Sequence, residues 1–158
     1  MKKYEFTGET KRVELWNRTA TLHRIKATVE FGFVKVGELG GWIEKEENLS
    51  HEGKAWVWGN AKVCDDAKVC GDAKVCGDAE VFLASHVLVM GSVGSRNDFT
   101  TFFRDKDNEI TVKCGCFLGK IDKFLEKVTQ THGNNKYALV YRAAVEVAKL
   151  QIELTERK

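Results

Sequence analysis

The sequence predicts a mostly-β protein whose middle, from Ala55 to about Gly94, is a parallel β-helix of six-residue rungs. Three observations predict it. Read in sixes from Ala55, the chain gives AWVWGN, AKVCDD, AKVCGD, AKVCGD, AEVFLA, SHVLVM and GSVGSR, seven units without insertion or deletion. The third residue of every unit is valine, from Val57 to Val93, and the first is always small: Ala55, Ala61, Ala67, Ala73, Ala79, Ser85, Gly91. A small and a β-branched residue two apart describe a short strand with both side chains inward. The corners agree, since Gly59-Asn60, Asp65-Asp66, Gly71-Asp72 and Gly77-Asp78 are types that accept turn backbone cheaply.

The flanks follow in order. Tyr4 to Phe6 and Thr21 to Val29 read as strands, the second by alternation of Thr21, His23, Ile25, Ala27 and Val29 with Leu22, Arg24, Lys26 and Thr28. After the repeats, Thr100 to Arg104 and Glu109 to Phe117 flank the turn composition Asp105-Lys106-Asp107-Asn108 and predict a hairpin. The period then becomes helical: Ile121, Phe124, Leu125 and Val128 lie on one face, and Gly133 suits a C-terminal cap. A second helix is expected from the Asn134-Asn135 cap to about Glu153, its apolar Tyr137, Tyr141, Ala144, Val145, Ala148 and Ile152 packing on the first helix, the hairpin or another subunit. The expected organisation is an N-terminal β cap over 1–36, the repeats over 37–96, and a C-terminal hairpin with two helices over 97–158.

Composition narrows the function classes. A chain of 158 residues is one ordinary domain with small appendages. Twenty-five basic against 23 acidic residues give a net charge of +2, too balanced for nucleic-acid binding by bulk electrostatics. No run of 18 apolar residues and no apolar leader follows Met1, so a cytoplasmic protein away from membranes is expected. Five cysteines, an odd number placed by the repeat, fit free thiols in a reducing compartment.

The repeat resembles the hexapeptide-repeat family over about 60 residues, because Glu38-Leu39-Gly40-Gly41-Trp42-Ile43 and Leu49 continue the inward register upstream. The resemblance implies a left-handed parallel β-helix of about three coils, each coil of three hexads. More narrowly, "GELGGWIEKEENLSHEG", the Ala-Lys-Val units and "GSRNDFTTFF" are similar to uncharacterised hexapeptide proteins of phages and prophages. For a phage-encoded chain the compartment is the host cytoplasm.

With eighteen residues to a coil, residues eighteen apart stack. Cys64 falls under Phe82, Cys70 under Leu88 and Cys76 over Trp58, so the thiols lie on three faces and cannot converge at the about 2.3 Å a metal needs. Cys114-Gly115-Cys116 supplies only two ligands. Neither metal nor cofactor is expected. Family enzymes are mostly CoA-dependent acyltransferases with a histidine base, which leaves His51 and His86 as repeat-region candidates; His86 occupies the outward position of Lys62, Lys68, Lys74 and Glu80, a solvated place.

Gly94 to Thr101 offers different chemistry. Ser95, Arg96, Asn97, Thr100 and Thr101, with Lys113 near, supply backbone N–H groups, hydroxyls and a guanidinium fork suited to a phosphate or carboxylate. The same residues also make an ordinary junction, with Arg96 stacked toward Asp78. Trp56, Trp58 and Phe82 sit at outward rung positions and need cover, either a subunit interface, a trimer by resemblance, or a wall on which a nucleobase stacks. The expected function is a non-catalytic oligomeric protein binding a small anionic, nucleotide-like ligand, as a counter-defence sponge for a host signal. The alternatives are a CoA-dependent acyltransferase and a structural assembly protein.

Overall fold

Burial of the repeat valines sets the core. In the computed structural model, which describes residues 2–154, Val57, Val63, Val69, Val75 and Val81 are buried with the alanines two residues before each. Met1 and residues 155–158 lie outside the described residues, as do those ends of the expected 1–36 and 97–158 segments.

The chain forms eleven strands and two α-helices among the described residues: β1 (Tyr4–Glu14), β2 (Thr19–Ala27), β3 (Leu39–Ile43), β4 (Trp56–Val57), β5 (Lys62–Val63), β6 (Lys74–Val75), β7 (Glu80–Val81), β8 (Val87–Val93), β9 (Asp98–Arg104), β10 (Ile110–Cys114), β11 (Phe117–Lys120), α1 (Ile121–His132) and α2 (Lys136–Gln151). They build a five-stranded sheet in the order β1-β2-β3-β5-β7, a four-stranded antiparallel sheet β11-β10-β9-β8, and the pair β4-β6.

The expectation of a mostly-β, left-handed parallel β-helix of about three coils is therefore corrected: the protein is mixed α/β, with three small sheets and two helices. Parallel pairing at a spacing of eighteen does occur, joining Trp56 to Lys74, Val57 to Val75, Lys62 to Glu80 and Val63 to Val81. It is confined to strands of two residues, because the chain turns soon after each valine, at a Gly or Asp corner in the units of β4, β5 and β6 and at the 3₁₀ turn Ala84–His86 after β7. Two of these strands extend a sheet whose first half is the antiparallel hairpin β1–β2. Full burial of the repeat valines also ends at Val81, since Val87 packs against the same core only half-buried. Ala84–His86 forms a 3₁₀ turn, and the residues from Val87 pair antiparallel with β9, so the strand of the sixth and seventh units belongs to the C-terminal sheet.

The first strand runs longer than the sequence suggests, to Glu14, whereas the strand expected over 109–117 divides into β10 and β11 and α2 ends at Gln151. Strand β10 is the middle of a meander with β9 and β11, and Cys114-Gly115-Cys116-Phe117 is its second turn. Helix α1 ends at Gly133, whose φ of 61° is left-handed. The Asn135 side chain accepts a hydrogen bond from Ala138 N and caps α2. Phe102, Val112, Phe124, Val128, Tyr141 and Val145 form a second core between the helices and the four-stranded sheet. No described helix is long and apolar enough to cross a membrane.

Candidate functional site

The junction residues divide on their surroundings. Thr100 and Thr101 are buried within β9; the Thr101 hydroxyl accepts from Lys74 N at 2.9 Å, and the Thr100 hydroxyl donates to Cys114 Sγ at 3.4 Å. Both serve sheet packing, contrary to the ligand role expected of them. Ser95 is exposed in the turn and hydrogen-bonds with Tyr141. Gly94, at φ 79°, lies so near the Tyr141 hydroxyl that a Cβ there would collide with it. Asn97 closes the turn through its backbone N–H to Gly94 O at 3.3 Å, at φ 48°.

Arg96 is exposed and faces a cleft. Asp78, its expected partner, instead stands 3.4 Å from Lys106 Nζ. The Arg96 Nη1 lies 2.8 Å from the point a Cβ on Gly115 would occupy, so the glycine gives the guanidinium its room. Lys113 comes from β10, and Lys74 from β6. These three cations line one cleft of about 540 Å³, within the range of small-molecule sites, and none of them forms an ion pair among the described residues. Trp58, half-buried, forms part of the wall, and its backbone N–H donates to Val75 O at 2.8 Å. Phe33 projects from the turn closed by the Phe31–Val34 bridge, is 82% exposed, and holds its ring centroid 5.2 Å from Lys74 Nζ. Asp98 is the one carboxylate on this cleft's lining. A second hollow of about 410 Å³ shares Phe33, Trp58, Lys74 and Asp98 with it and continues to Lys54 and Asp72.

Cys76 and Cys116 also reach the cleft. Burial raises the Cys76 thiol, against the opposing pull of Lys113 and Lys74, so it stays protonated at neutral pH and is a poor metal ligand. Behind Arg96 a smaller cavity of about 240 Å³ is bounded by Tyr141, His132, Phe124 and Lys127.

Neither expected histidine is free. His86, read as a solvated side chain, is fully buried. Its Nδ1 accepts from Phe82 N and Leu83 N, each at 3.1 Å, and the ring also hydrogen-bonds the backbone of Glu153. Burial first, and then the nearby Arg104, lowers its pKa to about 4. His51 stacks on Tyr4 at 4.1 Å, accepts from Lys3 N at 3.0 Å and stands 3.0 Å from Glu46 Oε1. Both rings are occupied by structure, which removes the bases named for acyl transfer.

The outward aromatics find their cover in the same chain. Trp56 is buried with Tyr4 and Phe31 at centroid distances of 6.2 and 5.3 Å. Phe82 packs with Trp42, Cys64, Ala20 and Leu22, closed over by Val13 and Leu15 of the N-terminal hairpin. Cys64 is sealed in this cluster and its thiol is pushed up to about 12 by burial. Of the three aromatics singled out, only Trp58 presents a surface.

Phe33 and Lys74 were not singled out as site residues by sequence, and Asp98 was named only within the Gly94 to Thr101 junction, without a role of its own. A signal for Lys74 and the junction existed: the column Trp58, Cys76, Gly94 at steps of eighteen leads from the tryptophan to the loop. Nothing in the sequence carries Phe33 there, because its position depends on how the Phe31–Val34 turn, well before the repeats, folds back. No protein-family model matches the sequence, and no curated protein sequence matches it.

Proposed function

We propose that this protein binds a small phosphorylated ligand of the nucleotide type, without transforming it, in the cleft between Trp58, Phe33 and the Lys74–Arg96–Lys113 triad. The observation that carries the reading is the combination of two aromatic surfaces with three cations that have no carboxylate partner. An aromatic base gains about 1 to 3 kcal/mol by stacking on such a ring. A guanidinium with two ammonium groups suits the phosphate oxygens, with Arg96 the bidentate contact and the lysines point charges. Asp98 at the rim suits a sugar hydroxyl or a base amino group, both hydrogen-bond donors. In a chain of phage or prophage origin, which the resemblance suggests, a site that binds such a ligand without transforming it serves as a sponge that withdraws a host signal.

A thermal-shift screen with CoA, cyclic dinucleotides and ADP-ribose derivatives identifies the class, since a ligand at 100 times its Kd stabilises by about 2.7 kcal/mol. Isothermal titration is then expected to show Arg96→Ala weakening binding about ten- to hundredfold, a loss of about 1.5 to 3 kcal/mol. Trp58→Ala weakens it comparably, and His51→Ala and His132→Ala leave it intact. Mass spectrometry after overnight incubation returns the ligand unchanged. Consumption of the ligand, or affinity indifferent to Arg96 and Trp58, overturns the reading, and turnover of acetyl-CoA that a histidine variant abolishes installs the acyltransferase in its place.

A further inference from the structure

The groove around Phe33 carries its recognition groups twice over. The cleft of about 540 Å³ and the adjoining hollow of about 410 Å³ each lie within the size range of small-molecule sites, and Phe33, Trp58, Lys74 and Asp98 border both. The two are therefore one groove with a shared middle, lined by two aromatic rings. Each end has its own cations, Arg96 and Lys113 at one and Lys54 at the other, with Lys74 between them. Asp98 in the middle has a counterpart in Asp72, which lines the Lys54 end.

Repeat and turn together fix that end. Lys54 N donates to Gly71 O at 3.1 Å, which sets the lysine beside Asp72 in the neighbouring rung, and exposed Lys54 forms no ion pair among the described residues. The turn that carries Phe33 rests on the Lys54 stem, since a Cβ on Gly32 would lie 3.6 Å from Lys54 Cβ. Phe31 and Val34 exchange backbone hydrogen bonds of 3.1 and 2.8 Å, and Val34 is buried, so the turn holds Phe33 out in water from two tied ends. A ring placed this way gains from whatever covers it.

We propose that the ligand is a dinucleotide whose two phosphates are set apart, as in a cyclic dinucleotide; this rests on the nucleotide reading of the cleft and names the class. A mononucleotide brings one base and leaves one ring bare and one end of the groove unused. Two nucleosides match two rings, a base stacked on each, and two carboxylates, each an acceptor for a sugar hydroxyl or a base amino group. The spread of the cations decides the linkage. A pyrophosphate gathers its charge at one point between the nucleosides, whereas phosphates set apart meet Arg96 with Lys113 at one end and Lys54 with Lys74 toward the other.

Isothermal titration of the full chain compares cyclic di-AMP and cyclic di-GMP with AMP, GMP and NAD, the last a dinucleotide joined by a pyrophosphate. One of the cyclic dinucleotides is expected to bind about a hundredfold tighter than its own mononucleotide, and tighter than NAD, at one ligand per chain. Lys54→Ala, at an exposed position, keeps the circular dichroism spectrum; it weakens the cyclic dinucleotide about tenfold and leaves the mononucleotide unchanged, whereas Arg96→Ala weakens both. A dinucleotide no tighter than its mononucleotide, or one indifferent to Lys54, overturns the two-unit ligand while Arg96-dependent mononucleotide binding keeps the nucleotide cleft. NAD binding tightest overturns the separated phosphates. Binding by none of the five overturns the inference together with the nucleotide reading beneath it.

Discussion

His86 and Asn48 do the same work in two places, and this equivalence was hidden by their difference in type. Each ends a 3₁₀ turn, Glu46–Asn48 and Ala84–His86, and each accepts from the backbone N–H groups three and four residues before it: Lys45 and Glu44 for Asn48, Leu83 and Phe82 for His86. One acceptor thus satisfies two backbone donors at each of these turns, one before the repeat and one at its end. His86→Asn is accordingly expected to fold nearly as well as wild type, whereas His86→Ala strands two N–H groups at about 1 to 3 kcal/mol each, a difference urea titration resolves. The imidazole also brings a pH dependence. Unfolded, it takes up a proton near 6.5; folded, only near 4, so the unfolded chain holds more protons between these values. The stability His86 contributes is complete above about pH 6.5 and falls as pH drops toward 4, and His86→Asn removes that part of the slope. A wild-type and variant slope that coincide across this window contradict the buried neutral ring.

At the scale of elements, most of the local structure was legible and its assembly was not. The cap Asn135, the stop at Gly133 and the helical period on either side of them predicted α1 and α2 because caps and periodicity are properties of adjacent residues. The repeat valines predicted their own burial for the same reason. What the period could not state is which strands become neighbours, since a two-residue strand has too few hydrogen bonds to impose a sheet; the long hairpin β1–β2 and the meander β8–β9–β10–β11 decide that. The period itself also outlasts its structural meaning. Val69 is buried and bridges to Leu49, while Val93, in the same sequence position, is half-exposed opposite Asp98. Val69→Asn is thus expected to cost about 2 to 4 kcal/mol, through an unpaired buried amide and lost apolar burial, against less than about 1 kcal/mol for Val93→Asn. Equal losses at both sites, read from chemical denaturation, count against full burial that ends at Val81.

Across the whole molecule, the flanking segments determine which repeat side chains remain available. The N-terminal hairpin seals Phe82 and Cys64, Tyr4 and Phe31 seal Trp56, and β9 captures the Lys74 backbone through Thr101. What is left open is the side on which Trp58, Lys74, Arg96 and Lys113 meet. Half of this site could be read in advance: Arg96, Lys113 and Trp58 were singled out, each for its own chemistry. Their convergence, and the arrival of Phe33, depend on contacts between segments distant in sequence. With most of its attraction coming from three cations, Arg96 exposed and Lys74 and Lys113 half-buried, binding is expected to weaken steadily as salt is raised. The most direct measurement is an NMR titration of the labelled protein with the strongest ligand from the nucleotide screen. The account predicts the largest shifts at the Trp58 indole N–H, the Arg96 side chain and the amides of Lys74 and Lys113, with Trp56 and Trp42 unmoved. Shifts centred elsewhere, or no shift with any phosphorylated ligand tested, contradict it.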